Sequence, residues 1–250
     1  MASRTAGRGI PLLIVLALFA ALPASASAQA DFLFERPSAT VSVFAGWAMP
    51  GERSDLFDFT RDELTVSEGD FAAPAGLLEL AFRVNERLDL GVGIDYASST
   101  VDSEMRDWVT MDDRPIPQST LFRRARLLAN VKGYLLPRGR QISEYAWVPH
   151  RWSPYVGIGG GLSMFEFTQS GDFVDYQTYD IFETELTEKG NAWTALGLAG
   201  VQVSLSPRLL LRGEYRYIWA EGALRDGDFR DFGDLDLSGS RALLGLSVRM

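Results

Sequence analysis

The sequence predicts an all-β chain, a single eight-stranded antiparallel up-and-down transmembrane β-barrel preceded by a helical signal peptide. Three observations predict it. Apolar and polar residues alternate with period two through segment after segment, and a strand shows successive side chains to opposite faces. In the stretch from Trp193 to Trp219, the aromatics Tyr215, Tyr217 and Trp219 crowd one end of the apolar face, as a membrane–water interface selects. The connections sort into short or moderate turns on one side and long polar loops on the other, a layout that a soluble meander has no reason to adopt.

Residues 1–30 read as a cleaved signal peptide. Arg4 and Arg8 precede an apolar run from Ile10 to Leu22, and small residues follow, with cleavage expected after Ala28 or Ala30. Residues 31–250 are then the barrel domain. No later stretch is apolar enough for a membrane helix, so any span must be built of strands. The chain has no Cys, which removes disulfide and thiol chemistry. A net charge of -9 argues against nucleic acid as a partner.

Eight strands follow in order. The first is Ala39 to Trp47, with Val41, Val43, Ala45 and Trp47 on one side. The second, Gly76 to Val84, sets Leu78, Leu80, Phe82 and Val84 against Glu79 and Arg83. The third, Leu88 to Ala97, sets Leu88, Leu90, Val92, Ile94 and Tyr96 against Asp89 and Asp95. In the fourth, Thr120 to Leu135, Leu121, Ala125, Leu127, Ala129 and Val131 oppose Arg124, Arg126, Asn130, Lys132 and Tyr134. Arg123 interrupts the apolar side near its outer end, where a long side chain can snorkel. The fifth, Pro154 to Phe167, turns Val156, Ile158, Leu162 and Met164 outward and Gly157, Gly159 and Gly161 inward. Strands six and seven form the hairpin around Ser206-Pro207-Arg208; the seventh sets Leu209, Leu211, Tyr215 and Trp219 against Arg212, Glu214 and Arg216. The eighth, Ser240 to Met250, sets Ala242, Leu244, Leu246 and Val248 against Arg241, Ser247 and Arg249.

Residues 85–87, 137–152 and 206–208 are the shorter connections; 51–73, 98–118, 170–190 and 220–236 are expected as long loops. The long ones hold 24 of the 33 acidic residues and seven of the 24 basic ones, which makes one end of the barrel strongly acidic. A ten-strand alternative places Glu63 to Val66 in an extra hairpin. In hydrocarbon each unpaired backbone group costs several kcal/mol, so strands one and eight must pair and close the ring. Closure leaves no edge, and a monomer is expected.

The segments AGVQVSLSPRLLLRGEYRY and PYVGIGGGLS resemble the matching segments of the OmpA-like and opacity-type outer-membrane β-barrel family. The resemblance rests on Glu214, Tyr215, Arg216 and Tyr217 and on Pro154 to Gly157, and it extends over residues 38–250. It implies a small barrel of the bacterial outer membrane, associated with outer-membrane lipid and lipopolysaccharide and inserted by the barrel-insertion machinery through its C-terminal strand. The chain departs from the family at Met250, where such barrels carry an aromatic, Phe most often.

The inward positions form the candidate site: Glu79, Arg83, Asp89, Asp95, Arg124, Arg126, Lys132, Arg212, Glu214, Arg216 and Arg241. In a low-dielectric interior these charges must pair or be hydrated. They form either a lumen-filling ion-pair network in a structural, surface-interacting barrel or the lining of a narrow diffusion channel for small solutes or ions. A lipid-modifying enzyme is the third reading. His150 and Ser153 are three residues apart, whereas the lipid A deacylase pattern places them two apart, and no catalytic residue, cofactor or metal is expected. Asp226, Asp228, Asp231, Asp234 and Asp236 form a solvated acidic loop or bridge divalent cations to lipopolysaccharide. The loop aromatics Phe57, Phe59, Trp108, Phe173, Tyr176, Tyr179, Phe182, Phe229 and Phe232 either pack the loops together above the barrel or offer a surface to an extracellular ligand.

Overall fold

Eight strands close into a ring, because every backbone edge finds a partner. The computed structural model describes residues 32–175, 177–225 and 227–250; the segment expected as a signal peptide, together with Tyr176 and Asp226, lies outside the described residues. The barrel strands are β1 (Ala39–Pro50), β2 (Ala73–Arg83), β3 (Leu88–Val109) and β4 (Pro115–Tyr134), then β7 (Trp152–Val174), β8 (Ile181–Ser204), β9 (Leu209–Gly222) and β11 (Gly239–Arg249). Each pairs antiparallel with the next, and β11 pairs with β1 from Thr40↔Arg249 to Pro50↔Gly239. Four smaller elements lie in the connections: α1 (Asp55–Glu63), β5 (Gly139–Ser143), β6 (Ala146–Pro149) and β10 (Leu235–Asp236).

Side-chain direction follows the two-residue period. Leu78, Leu90, Val92, Ile94, Leu127, Ile158, Tyr215, Leu244 and Leu246 point outward and are exposed, while Arg212 and Glu214 are buried inside. Each outward apolar stretch is about long enough for the roughly 25 Å apolar band of a membrane barrel. β7 coils tightly against β4: a Cβ on Gly161 would stand 1.9 Å from the Leu127 carbonyl oxygen, so only glycine fits there.

The strands do not stop at the band. Residues 98–118 and 170–190, expected as long loops, are mostly strand: β3 and β4 continue to a turn at 110–114, and β7 and β8 to one at 175–180. Polarity inverts along the way. On β4, Phe122 and Ile116 turn inward while Ser119 and Arg123 turn outward; below them Arg124 and Arg126 are inside and Leu127 and Val131 outside. Strand pairing puts Ser98, Arg123, Glu166 and Lys189 in one cross-strand row at this inversion. Arg123 meets Glu166 at 2.5 Å and Lys189 meets it at 2.9 Å on the outer surface. Above the row the wall faces water, so apolar side chains return to the inside.

That upper interior is a hydrophobic core. Phe57 packs on Phe71, Phe122 and Phe167 with ring centroids 5.3, 5.3 and 5.9 Å away, and Phe229 packs on Phe167 at 5.4 Å. Helix α1 carries Leu56 and Phe57 into it. Asp55 and Asp58 in its first turn and Arg61 in its last suit the helix dipole. The ring stays at eight strands, because near Glu63 to Val66 only Leu64 bridges to β3, at Met105. At the opposite end, the expected turn 137–152 folds into the β5–β6 hairpin.

Candidate functional site in the barrel lumen

The lumen within the apolar band is filled by charged side chains in three levels, packed among inward apolar ones such as Phe44, Leu77, Leu128, Leu198 and Leu243. The middle level joins β2, β4 and β9. Glu79 meets Lys132 at 2.5 Å, Arg216 at 2.8 Å and Arg212 at 3.3 Å. Glu214 meets Lys132 at 3.3 Å and Arg212 at 3.6 Å, and it accepts from Arg216 Nε. Two carboxylates thus hold three cations. Tyr155 donates its hydroxyl to Glu214 at 2.8 Å, Asn130 donates to Glu79 at 3.3 Å, and Ser42 accepts from Arg212 at 3.0 Å. All five charged side chains are enclosed, so hydrogen bonding must offset a desolvation cost of several kcal/mol per ion.

The upper level joins β3, β4 and β11. Asp95 accepts from Arg126 at 3.4 Å through one oxygen and from Arg241 through the other. Arg126 also donates to the Leu237 carbonyl at 2.9 Å. Arg124, 2% exposed, makes no ion pair among the described residues. The lower level lies at the turns. Arg138 Nη1 contacts both oxygens of Asp89, at 2.6 and 2.8 Å, and Tyr134 donates to Asp89 at 3.1 Å. Arg83 makes no ion pair among the described residues; it donates to the Asn85 carbonyl at 3.2 Å, and its guanidinium carbon lies 5.7 Å from the Trp147 ring centroid.

Trp147 closes the lower mouth. It is 1% exposed, its backbone pairs with Leu33, and Arg249 lies 5.3 Å from its ring centroid. Gly139 makes room for it, since a Cβ there would meet the indole at 2.3 Å. The remaining cleft at this mouth, bordered by Arg83, Asp89, Arg138 and Arg249, measures about 10 Å³, the volume of about one water probe. Parity along the strands points to Ser42, Tyr155 and Arg249 as further inward residues. Trp147 and Arg138 come from a connection, where no alternation exists to flag them.

Several residues weighed in the sequence do other work. His150 Nδ1 lies 2.7 Å from the Pro137 carbonyl oxygen, and Ser153 donates to the same oxygen at 3.5 Å. Asp236 accepts from the Arg53 and Ser238 amides at 3.2 and 2.8 Å, and Asp228 accepts from the Thr187 amide at 2.7 Å. These acids therefore tie loop backbone down at separate points. Among the described residues no three His, Asp or Glu side chains gather as a metal site. Of the loop aromatics, Phe57 and Phe229 are buried, while Phe59, Tyr179 and Phe182 remain exposed. Glu52 is buried beneath α1, 3.6 Å from Arg61 and accepting from the Gly69 amide at 3.2 Å; burial raises its pKa above the ordinary carboxylate value.

No family model and no curated protein sequence matches the chain. Solved structures similar to it include OprG from Pseudomonas aeruginosa, 11% identical over 87% of this chain and 99% of that one, with a TM-score of 0.47. Neisserial surface protein A is 15% identical over 86% of this chain and all of that one, with a TM-score of 0.45. Ail of Yersinia pestis is 15% identical over 86% of this chain and all of that one, with a TM-score of 0.39. These structural neighbours are small outer-membrane β-barrels.

Proposed function

We propose that the chain is a monomeric structural barrel of the bacterial outer membrane, closed along its axis, whose interactions are made by its outer surface and acidic upper end. One observation carries this reading: from Trp147 through the Glu79–Glu214 network to Phe57, each level of the lumen is occupied by enclosed side chains. An eight-stranded ring has an interior that side chains about fill. The outward apolar band supports a place in lipid, and the Arg123–Glu166–Lys189 row marks its upper edge, within reach of anionic lipopolysaccharide headgroups. Pairing of β11 with β1 makes the C-terminal strand the last step of closure, which fits recognition there by the insertion machinery. The exposed Phe59, Tyr179 and Phe182 offer contacts to an extracellular ligand. The reading assigns no catalytic step.

Planar-bilayer recording of the refolded protein in high salt tests it. A flat trace is expected. Discrete, reproducible openings in the wild type would overturn the closed lumen in favour of a narrow diffusion channel.

A further inference from the structure

The buried charges of the lumen do not balance. Within the three levels of the apolar band Arg124, Arg126, Lys132, Arg138, Arg212, Arg216, Arg241 and Arg249 are enclosed, against Glu79, Asp89, Asp95 and Glu214; the other buried carboxylates, Glu52, Glu188 and Asp236, lie above. The imbalance is greatest at the upper level. There the one carboxylate, Asp95, pairs with Arg126 and Arg241, and the third guanidinium, Arg124, is left without an ion pair among the described residues. Above them Glu52 pairs with Arg61 and acts on Arg124 only through space, Glu188, buried in the Phe122–Phe167 row, accepts from the Gly227 amide, and Asp236 accepts from the Arg53 and Ser238 amides.

The donors at this level are also in excess. Arg124 Nε and Nη2, Arg126 Nε and Arg241 Nη2 are buried without a hydrogen-bond partner among the described residues, and so are the hydroxyls of Ser163 and Thr194. Ser163 sits directly across the strand pair from Arg126. Among the described residues, Arg124 meets the face of Phe122, at 4.4 Å. A guanidinium does not shed its proton under any ordinary condition. An uncompensated one inside a low-dielectric wall is strongly destabilising, and a cation–π contact returns about 2 kcal/mol at most.

We propose that the upper lumen binds a small inorganic anion between Arg124, Arg126 and Arg241, beneath the phenylalanine cap. The anion accepts from the unpaired guanidinium N–H groups and brings the level closer to neutrality. Its class is a halide or a compact oxyanion such as phosphate or sulfate, which share the required chemistry: negative charge and acceptor-only coordination. The site goes beyond the closed-lumen reading and does not need it, because a conducting barrel would hold the same three guanidiniums.

Thermal unfolding of the refolded barrel in detergent, at constant ionic strength, tests the site. Chloride or phosphate replaces gluconate, which is too bulky for the enclosed level. Saturable stabilisation is expected, and the anion concentration giving half of it should rise about tenfold or more in Arg124→Leu, the equivalent of losing one charge-assisted hydrogen bond. Arg124→Lys, which keeps the charge, should retain part of the response. Heat-modifiable gel mobility checks that each variant folds. Stabilisation by chloride alone identifies a halide site, and stabilisation by phosphate an oxyanion site. Where chloride stabilises, bromide-soaked crystals should show an anomalous peak beside Arg124. An equal response of the wild type and Arg124→Leu to every anion, or stabilisation by chloride alone with no bromide peak inside the barrel, would overturn the proposal.

Discussion

The guanidinium carbon of Arg124 lies 4.4 Å from the ring centroid of Phe122, two residues earlier on the same inward face of β4. That contact is the floor of one core and the roof of another. Above it a phenylalanine cluster fills the interior, with Thr120 and Gln118 buried beside it on β4, and the outer wall meets water. Below it charged side chains share the interior with Leu128 and a few other apolar ones, and the outer wall is apolar. One strand therefore carries two opposite patterns, and the switch falls where the surroundings change from water to hydrocarbon.

The upper core rests on Phe57, which touches three other phenylalanine rings and is fully buried. Phe57→Ala should destabilise this cap by about 3–5 kcal/mol, the usual result of emptying an aromatic site. The barrel below has its own hydrogen-bonded ring, so the loss should stay local. Limited proteolysis should cut faster within residues 51–72, while the folded band on unheated gels persists.

In the middle level, Glu79 holds Lys132, Arg212 and Arg216 together. Glu79→Gln leaves those three cations with Glu214 alone. The expected loss is about 3–5 kcal/mol, as for other buried pairs deprived of one partner. Adding Lys132→Met removes one surplus charge and should restore part of that loss. Urea unfolding in lipid vesicles gives the cycle; additive losses in the double variant would show that the two side chains do not act as a pair.

Much of this was legible from alternation alone. Asp95, Arg126, Glu214 and Arg241 announce their inward direction by standing opposite Ile94, Leu127, Tyr215 and Ala242. The strands themselves were underestimated, since the upper parts of β3, β4, β7 and β8 read as loops. The reason is physical. At Ser98 and Arg123 the outward side turns polar, so a search for an oily outer face ends where the membrane does, although the backbone ladder continues. Trp147 and Arg138 were beyond reach for a different reason: a hairpin lying across the barrel mouth places its residues by tertiary contact, and no period reports that. Arg124 was placed inside correctly by its spacing, but its lack of a carboxylate partner depends on which acids neighbouring strands bring to its height.

The outward assignment has a direct test. Leu246 sits between Val43 and Leu211 on the outer wall. Leu246→Arg should lower stability in bilayers by about 2–4 kcal/mol, the range for a midplane arginine. Ser240→Arg lies on the same side of β11 but near the band's upper edge, beside Met49 and Tyr217. It should change stability by about 1 kcal/mol or less. Equal effects at the two positions would contradict the band as drawn.

Glu52 gives the cap a pH dependence of known sign. Burial raises its pKa, and the Gly69 amide and the Arg61 charge pull it down less strongly. A carboxyl raised in the folded state keeps its proton at pH values where the unfolded chain has already lost it. Its contribution is therefore most favourable in acid and declines as pH climbs from the unfolded value through the folded one. Glu52→Gln keeps an acceptor for Gly69 and cannot ionise. Wild type and variant should unfold alike near pH 4, and the variant should gain a melting advantage of the order of a few degrees by about pH 8. A variant that loses ground as pH rises would mean that the Arg61 charge outweighs burial and that Glu52 is held as a stable anion.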